Sequence, residues 1–391
     1  MSRRVSLFLL PLIYAGYISL GLPDGTLGVA WPRMHLDLAQ PLKAAGWLMV
    51  VATLLSAVSS FSSGPILRRF TTGPVVLVSC LLTGGALVLT SQAPAFAWLL
   101  VAAIPLGLGA GAVDAALNSY VARHYTGRHM NWLHACWGIG ATSGPLIITQ
   151  FLATSHGWRG GYLFIGCLQL TLATTFAVTL RLWDCGPGPR AAAGDCSTGA
   201  TAASALHSAN SEAGWLSAAL FLLYVAAEGS TGLWAASILV EGRGLPQAEA
   251  GICASLFYAS ITGGRIANGF VVDRWGNRRL VTGGALLALA GLAVFTQAHS
   301  TPLAGAALVV TGLGMAPIFP GLMHEVPRRF RPDAVFTIIG RQSGAACVGA
   351  AIFPAAAGWL GEAVSLDAIP WAIGLGAVVL LAGIRRLDRI T

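Results

Sequence analysis

Apolar residues occupy this chain in long, even runs that a water-soluble fold cannot accommodate. Twelve such runs lie at about 5–30, 44–66, 74–92, 97–121, 131–153, 160–182, 214–240, 248–271, 280–297, 302–323, 333–357 and 368–386. Each is close to the ~20 residues that a helix needs to cross the roughly 30 Å hydrocarbon core of a bilayer. Short alternating segments, the mark of an outer-membrane barrel, are absent. The pattern predicts an all-α membrane protein with twelve transmembrane helices.

Between the sixth and seventh runs the pattern lapses into a polar stretch rich in Gly, Pro, Ala, Ser and Thr, which reads as a linker. The expected organisation is therefore a six-helix bundle at 1–183, a linker at 184–213 and a second six-helix bundle at 214–391. The halves repeat each other. Asp24-Gly25-Thr26-Leu27-Gly28 in the first run matches Glu228-Gly229-Ser230-Thr231-Gly232 in the seventh, and Gly107-Leu108-Gly109 in the fourth matches Gly312-Leu313-Gly314 in the tenth. Two nearly equal offsets at corresponding runs indicate a duplicated six-helix unit.

Charge refines this picture. The chain of 391 residues is 55% hydrophobic and only 10% charged, against about 25% charged for a soluble domain. Its formal net charge of +8 does not mark a nucleic-acid binder, because the cations sit in short loops between runs. With the N-terminus placed inside, the inner loops receive most of the 23 cations, and the outer loops only Arg33, Lys43, Arg159 and Arg243. That bias supports both the span count and an orientation with both termini cytoplasmic. The N-terminal run carries no small-residue cleavage site and reads as a retained helix. Five of the seven cysteines fall in apolar runs, Cys185 and Cys196 in the linker, and none has CxxC or metal-ligand spacing, so all read as small hydrophobes or free thiols. No cofactor, metal cluster, phosphate loop or nucleophile–base pairing is legible, and an enzyme is not expected.

Against this background the ionisable residues inside runs stand out. A carboxylate at bilayer depth costs roughly 2.5–3.5 kcal/mol and is by default a functional residue. Asp114 and Asn118 are four residues apart and share a helix face. Lipid disfavours the charged acid, so Asp114 is expected to face inward and to carry a proton. Asp24 follows Pro23 at a helix break, where substrate contact or proton coupling competes with capping of the broken end. Glu228, its repeat counterpart, has Tyr224 one turn before it and is likewise expected to serve proton coupling or substrate contact. Arg341 is expected to meet a carboxylate or an anionic substrate, and Arg265 to support a gate. His134 suits a proton relay or a substrate donor. Tyr17, Trp137 and Tyr224 suit stacking on a solute.

The loop after the eighth run reads Gly269-Phe270-Val271-Val272-Asp273-Arg274-Trp275-Gly276-Asn277-Arg278-Arg279. It resembles the G-x-x-x-D-R-x-G-x-R-R loop of the major facilitator superfamily. That resemblance implies two pseudo-symmetric six-helix bundles and a gate in which Asp273, Arg274, Gly269, Gly276, Arg278 and Arg279 latch one conformation through Asp–Arg pairs. The first-half counterpart is degenerate, with Arg68 where the Asp would stand. Gly109-x-Gly111-x-x-Asp114-x-x-x-Asn118 resembles the span-4 pattern of the fucose–galactose–glucose proton symporters, which implies that Asp114 is the protonatable group. Span 1 departs from that family's Asn-rich pattern, so proton coupling carries over more safely than sugar identity. Gly140-Ala141-Thr142-Ser143-Gly144-Pro145 partly resembles the antiporter motif of drug-efflux members, although its spacing also suits close helix packing.

The expected protein is a monomeric inner-membrane transporter that moves a small polar solute, a sugar or related metabolite, with protons by alternating access. The alternatives are a proton-driven drug or metabolite antiporter and a receptor-like membrane protein without flux.

Overall fold

The computed structural model describes residues 3–41, 44–183 and 209–391, with side chains from Leu9 onward. Most of the expected linker, with Cys185 and Cys196, lies outside the described residues.

The chain passes back and forth as α1 (Arg3–Gly21), α2 (Thr26–Asp37), α3 (Ala45–Phe70), α4 (Thr72–Ser91), α5 (Phe96–His124), α6 (Gly127–Leu152) and α7 (Gly157–Trp183). The second half follows as α8 (Glu212–Ser237), α9 (Gln247–Trp275), α10 (Asn277–Phe295), α11 (Thr301–Met315), α12 (Ile318–His324), the short α13 (Val326–Arg329), α14 (Val335–Ala363) and α15 (Ala368–Ile390). Among the described residues nine helical stretches are long and apolar enough to cross a membrane. The helices outside that set include α6 and α9, which carry His134 and Arg265. Twelve passes result when α1 with α2, and α11 with α12, are each taken as one broken span.

Both breaks have local causes. Gly25 adopts a left-handed φ of +74° immediately before α2. The turn is closed by Asp24 N–H donating to Gly21 O (3.0 Å) and Thr26 N–H to Pro23 O (3.2 Å). The tenth span was expected to be continuous, but it breaks at Ala316–Pro317. Pro317 lacks the N–H that would continue the ladder, and Pro320 follows within a turn. Span 1 also runs further than its apolar pattern indicates, because α2 continues to Asp37.

The described residues form two compact units. One contains the residues up to Tyr120 and those from Cys136 to Trp183; the other contains Val121–Ala135 and the residues from Ala209 to Thr391. The ends of α5 and α6 and the turn joining them thus cluster with the C-terminal spans.

Within each unit the glycine repeat serves the same packing. A Cβ on Gly107 would lie 2.3 Å from Ala52 O on α3, and one on Gly109 would lie 2.7 Å from Ser79 O on α4. In the second unit a Cβ on Gly312 would lie 2.6 Å from Phe257 O on α9, and one on Gly314 would lie 2.2 Å from Ala288 N on α10. Spans 4 and 10 therefore press their backbones against the second and third spans of their own units. Such close approach is how helices associate in lipid, where burial of apolar surface between helices gains little.

At the end that the charge bias assigns to the outside, each unit is fastened by one arginine. Arg243 has no exposed side-chain surface and pairs with Asp367 (Nε–Oδ1 3.0 Å). It donates to Phe295 O (2.7 Å), Ala298 O (2.8 Å) and Thr296 O (3.4 Å), capping the C-terminus of α10. In the first unit Arg159 donates to Ala93 O (2.8 Å) just past α4 and approaches Asp37 at 3.9 Å. The two cations explain two of the four exceptions to the positive-inside pattern: they cap the third span of each unit, where the helix dipole favours positive charge.

Candidate functional site

In the first unit, the polar residues of spans 1, 4 and 5 converge. Tyr17 and Asn118 are buried, and both turn to Asp114. Tyr17 Oη donates to Asp114 Oδ1 at 2.8 Å, and Asn118 Nδ2 donates to the same oxygen at 3.0 Å and also to Tyr17 Oη. The i, i+4 spacing of Asp114 and Asn118 thus closes a three-residue cluster through span 1. Asp24 lies at the surface of its unit, where Trp137 Nε1 donates to its Oδ2 at 2.8 Å. Its carboxylate is directed to an indole, and Gly25 stands at the cap position of α2 with no side-chain cap, so Asp24 does not cap the break.

The Gly140–Gly144 pattern explains how span 5 brings Trp137 there. A Cβ on Gly140 would meet Ile18 O at 2.0 Å, and one on Gly144 would meet Leu22 O at 1.8 Å. The antiporter-like motif is thus a seat for the broken span 1.

In the second unit the structure gathers Tyr224, Glu228, Arg265 and His134. Arg265 is buried, with Nη2 3.5 Å from Glu228 Oε1 and 3.4 Å from Tyr224 Oη. This corrects the expectation that Arg265 serves the gate. Arg265 precedes Asp273 by two helical turns, about 12 Å along the axis, and its guanidinium turns to span 7. The His134 ring lies 4.8 Å from Phe319, which also packs on Phe221 (4.6 Å) and Tyr224 (5.8 Å). Phe319 was missed by the sequence reading; its signal was the Pro317-Ile318-Phe319-Pro320 break.

Arg341 stands apart from this group. It donates to Ala209 O and to Asn210 Oδ1 (2.8 Å) and stacks 4.4 Å over Trp215. Its guanidinium, expected to meet a carboxylate or an anionic substrate, here holds the entry to span 7.

The residues expected to latch the gate lie around the turn between α9 and α10. Asp273 Oδ2 lies 3.4 Å from Arg128 Nε and accepts from Thr126 Oγ1 at 3.4 Å, beside the start of α6. Its partner is therefore an arginine outside the motif. Gly269 faces Trp132: a Cβ there would lie 2.1 Å from the indole nitrogen. Gly276 takes φ +80° between α9 and α10. Arg278 Nε reaches Glu325 Oε2 at 3.4 Å, whereas Arg274 and Arg279 have no ion pair or hydrogen bond among the described residues.

A second, unforeseen network lies beneath the motif. Buried Asn277 donates from Nδ2 to His324 Nδ1 (2.9 Å) and Glu325 Oε1 (3.2 Å), while His324 Nε2 donates to Tyr125 O (2.9 Å). Arg328 adds a 2.9 Å bond to Glu325. Burial pushes the Glu325 carboxyl up, but the Asn277 bond and the cations Arg328, Arg329 and Arg278 outweigh it and hold the group below the ordinary carboxylate range.

Comparison with known proteins matches the pattern of the Major Facilitator Superfamily over residues 13–195 and 216–389. The chain is similar to the niacin transporter NiaP of Acinetobacter baylyi, 25% identical over 162 residues, which are 40% of this chain and 37% of that protein. It is also similar to an uncharacterised transporter of the superfamily from Yersinia pestis, 22% identical over 75% of this chain and 73% of that protein. Among solved structures, FucP in its outward conformation superposes with a TM-score of 0.82 at 14% identity, over 97% of this chain and 98% of that one. With its twelve passes, its internal repeat and its motif loop, the chain is a membrane transporter fold and belongs to the Major Facilitator Superfamily.

Proposed function

We propose that this protein carries a small polar solute of the sugar class together with protons, by alternating access. One observation carries the reading: Asp114 sits inside the transmembrane bundle with the neutral donors Tyr17 and Asn118 on one oxygen. A carboxylate within a span that accepts from a phenol and an amide offers a place for a proton to bind and leave. Asp24, with Trp137, would contact the solute, and a carboxylate beside an indole suits the hydroxyls and apolar face of a sugar. Glu228, Arg265, Tyr224 and His134 would be the solute-contacting group of the second unit. Differential affinity of proton and solute for the two states then couples their movement. A solved structure of the same fold, at 14% identity, is of a fucose:proton symporter, which supports this substrate class and coupling ion. The protein would act as a monomer in the inner membrane with both termini cytoplasmic.

Arg265 favours a second reading. A buried guanidinium suits a carboxylated solute, and one relative is named a niacin transporter. Thermal-melt shifts across a panel of neutral sugars, carboxylic acids and cationic drugs separate the two. Solute uptake into proteoliposomes driven by an imposed pH gradient tests the coupling itself. Asp114→Asn is expected to abolish proton-driven uptake and to leave solute counterflow intact. Unchanged proton-driven uptake in that variant would sink the proposal, and solute movement opposite to the proton would favour the antiport alternative.

A further inference from the structure

A pocket that the transport reading does not use opens beside the start of α10, with a volume of about 370 Å³. Its walls include Arg278, Arg279 and Arg328 against one carboxylate, Glu325, leaving a net charge of +2. Glu325 is nearly buried, and its oxygens accept from Asn277, Arg278 and Arg328. Asp388, which approaches Arg278 at 4.0 Å, is paired with Arg329. Arg279 is exposed and has no partner among the described residues. Arginine forks match the paired oxygens of a phosphate.

Two further features sharpen the ligand. The pocket includes Gly276 and Asn277. Gly276 has no side chain to cap α10, so the first amides of the helix, which have no acceptor within it, add partial positive charge. Trp275, also in the wall, is 61% exposed, as is the nearby Phe270. Exposed aromatics at the end of a transmembrane helix mark the depth of lipid headgroups, and the charge bias assigns this end to the inside.

We propose that this pocket binds a phosphate group, supplied by the headgroup of an acidic phospholipid of the inner leaflet. Because Asn277 and Glu325 belong both to the pocket and to the network reaching Tyr125 O, occupancy bears directly on the seating of residues 121–135.

The test uses the full chain purified in a neutral detergent. Native mass spectrometry and thermal unfolding would follow added phosphatidylglycerol, phosphatidylcholine or inorganic phosphate. Phosphatidylglycerol is expected to remain bound and to raise the unfolding midpoint, and phosphatidylcholine to do neither. Arg279→Gln with Arg328→Gln should weaken phosphatidylglycerol binding by about tenfold or more. Arg385→Gln with Arg389→Gln, which removes two charges from the same end outside the pocket, should leave it unchanged. Arg279→Gln alone, at an exposed and unpartnered position, covers the case in which the double variant fails to fold. Binding of inorganic phosphate that competes with the lipid would support the phosphate site with a free anion as an additional source. Equal lipid binding by wild type and the Arg279 variants, or an equal loss in the control pair, would overturn the proposal.

Discussion

Replacing Arg243 by alanine is expected to be among the costliest single changes at its end of the second unit. Its guanidinium is wholly buried, so water does not stand in for the lost donors. The substitution removes two short bonds to Phe295 O and Ala298 O and a longer one to Thr296 O. Phe295 O keeps the Ala298 N–H (3.2 Å), but Ala298 O and Thr296 O lose their side-chain donor, and a buried acceptor left unmet costs about 1–3 kcal/mol. The stacking of Arg243 over Phe295 at 4.9 Å is worth about 0.5–2 kcal/mol more. The pair with Asp367 adds little, because Asp367 is 43% exposed. These contributions overlap, and the net cost is set at about 3–5 kcal/mol, the range for breaking a buried pair. Arg159, its counterpart, is 42% exposed, has one carbonyl at 2.8 Å, a carboxylate at 3.9 Å and a stack over Trp158 at 4.1 Å, and should cost about 1–2 kcal/mol. Thermal unfolding in detergent reads the difference: at roughly 2–4 °C per kcal/mol for units of this size, Arg243→Ala should fall several degrees further than Arg159→Ala. Arg243→Lys should recover little, since one ammonium cannot serve carbonyls on both prongs of the guanidinium. Equal midpoints for Arg243→Ala and Arg159→Ala would refute the capping argument.

Further expectations follow from the same contacts. Tyr17→Phe removes a donor to a charged oxygen, worth about 1.5–3 kcal/mol, and should slow proton-driven uptake in proteoliposomes by about tenfold or more while the protein stays folded. Arg265→Gln should lower the unfolding midpoint sharply, and adding Glu228→Gln should restore much of it; additive losses in that double-mutant cycle would show that the pair is not coupled. Gly269→Ala should displace the Trp132 indole and reduce transport, and Trp132→Ala should relieve the defect if the clash is its cause. Glu325 has its folded value depressed, so its stabilising contribution is full above the ordinary carboxylate range and is lost as pH falls through the lowered value. The gap in melting midpoint between wild type and Glu325→Gln should therefore be widest near neutrality and shrink on acidification below about pH 4.5.

The twelve passes were legible because lipid imposes one simple demand: each span must be long, apolar and helical. The break at Asp24 was legible because Pro23 and Gly25 flank it. The break in span 10 was hidden in an unbroken apolar run, where Pro317 and Pro320 were the signal and composition was silent. Partner choice was the least legible feature. Asp114 finds Tyr17 97 residues away, and Glu228 finds Arg265 37 residues away. Spacing along one helix identified Asn118 but could not reveal which side chain a neighbouring helix supplies. Arg265 was assigned to the gate by its nearness in sequence to Asp273, yet two turns of helix aim it at another span. Arg159 and Arg243, which entered only a charge count, cap helices.

The duplication sharpens the roles of the two acids that began as counterparts. Asp24 and Glu228 occupy matching places in the repeat, yet their surroundings differ in kind. Asp24 meets an indole N–H, and Asp114 meets a phenol and an amide, all neutral donors. Glu228 meets a buried guanidinium. Protonating Asp24 removes one charge and leaves the indole dipole behind. Protonating Glu228 withdraws the counter-charge that its carboxylate supplies to buried Arg265, at a cost of several kcal/mol. This asymmetry supports assigning the proton to the first unit and a fixed, solute-facing ion pair to the second. The exchange can be tested directly. Glu228→Gln should impair binding and counterflow together, because it strands Arg265 in the empty and loaded states alike. Asp114→Asn should impair only the proton-driven mode. If Glu228→Gln instead spares counterflow and abolishes only the response to the pH gradient, the proton belongs to the second unit and the division of roles proposed for the two halves is reversed.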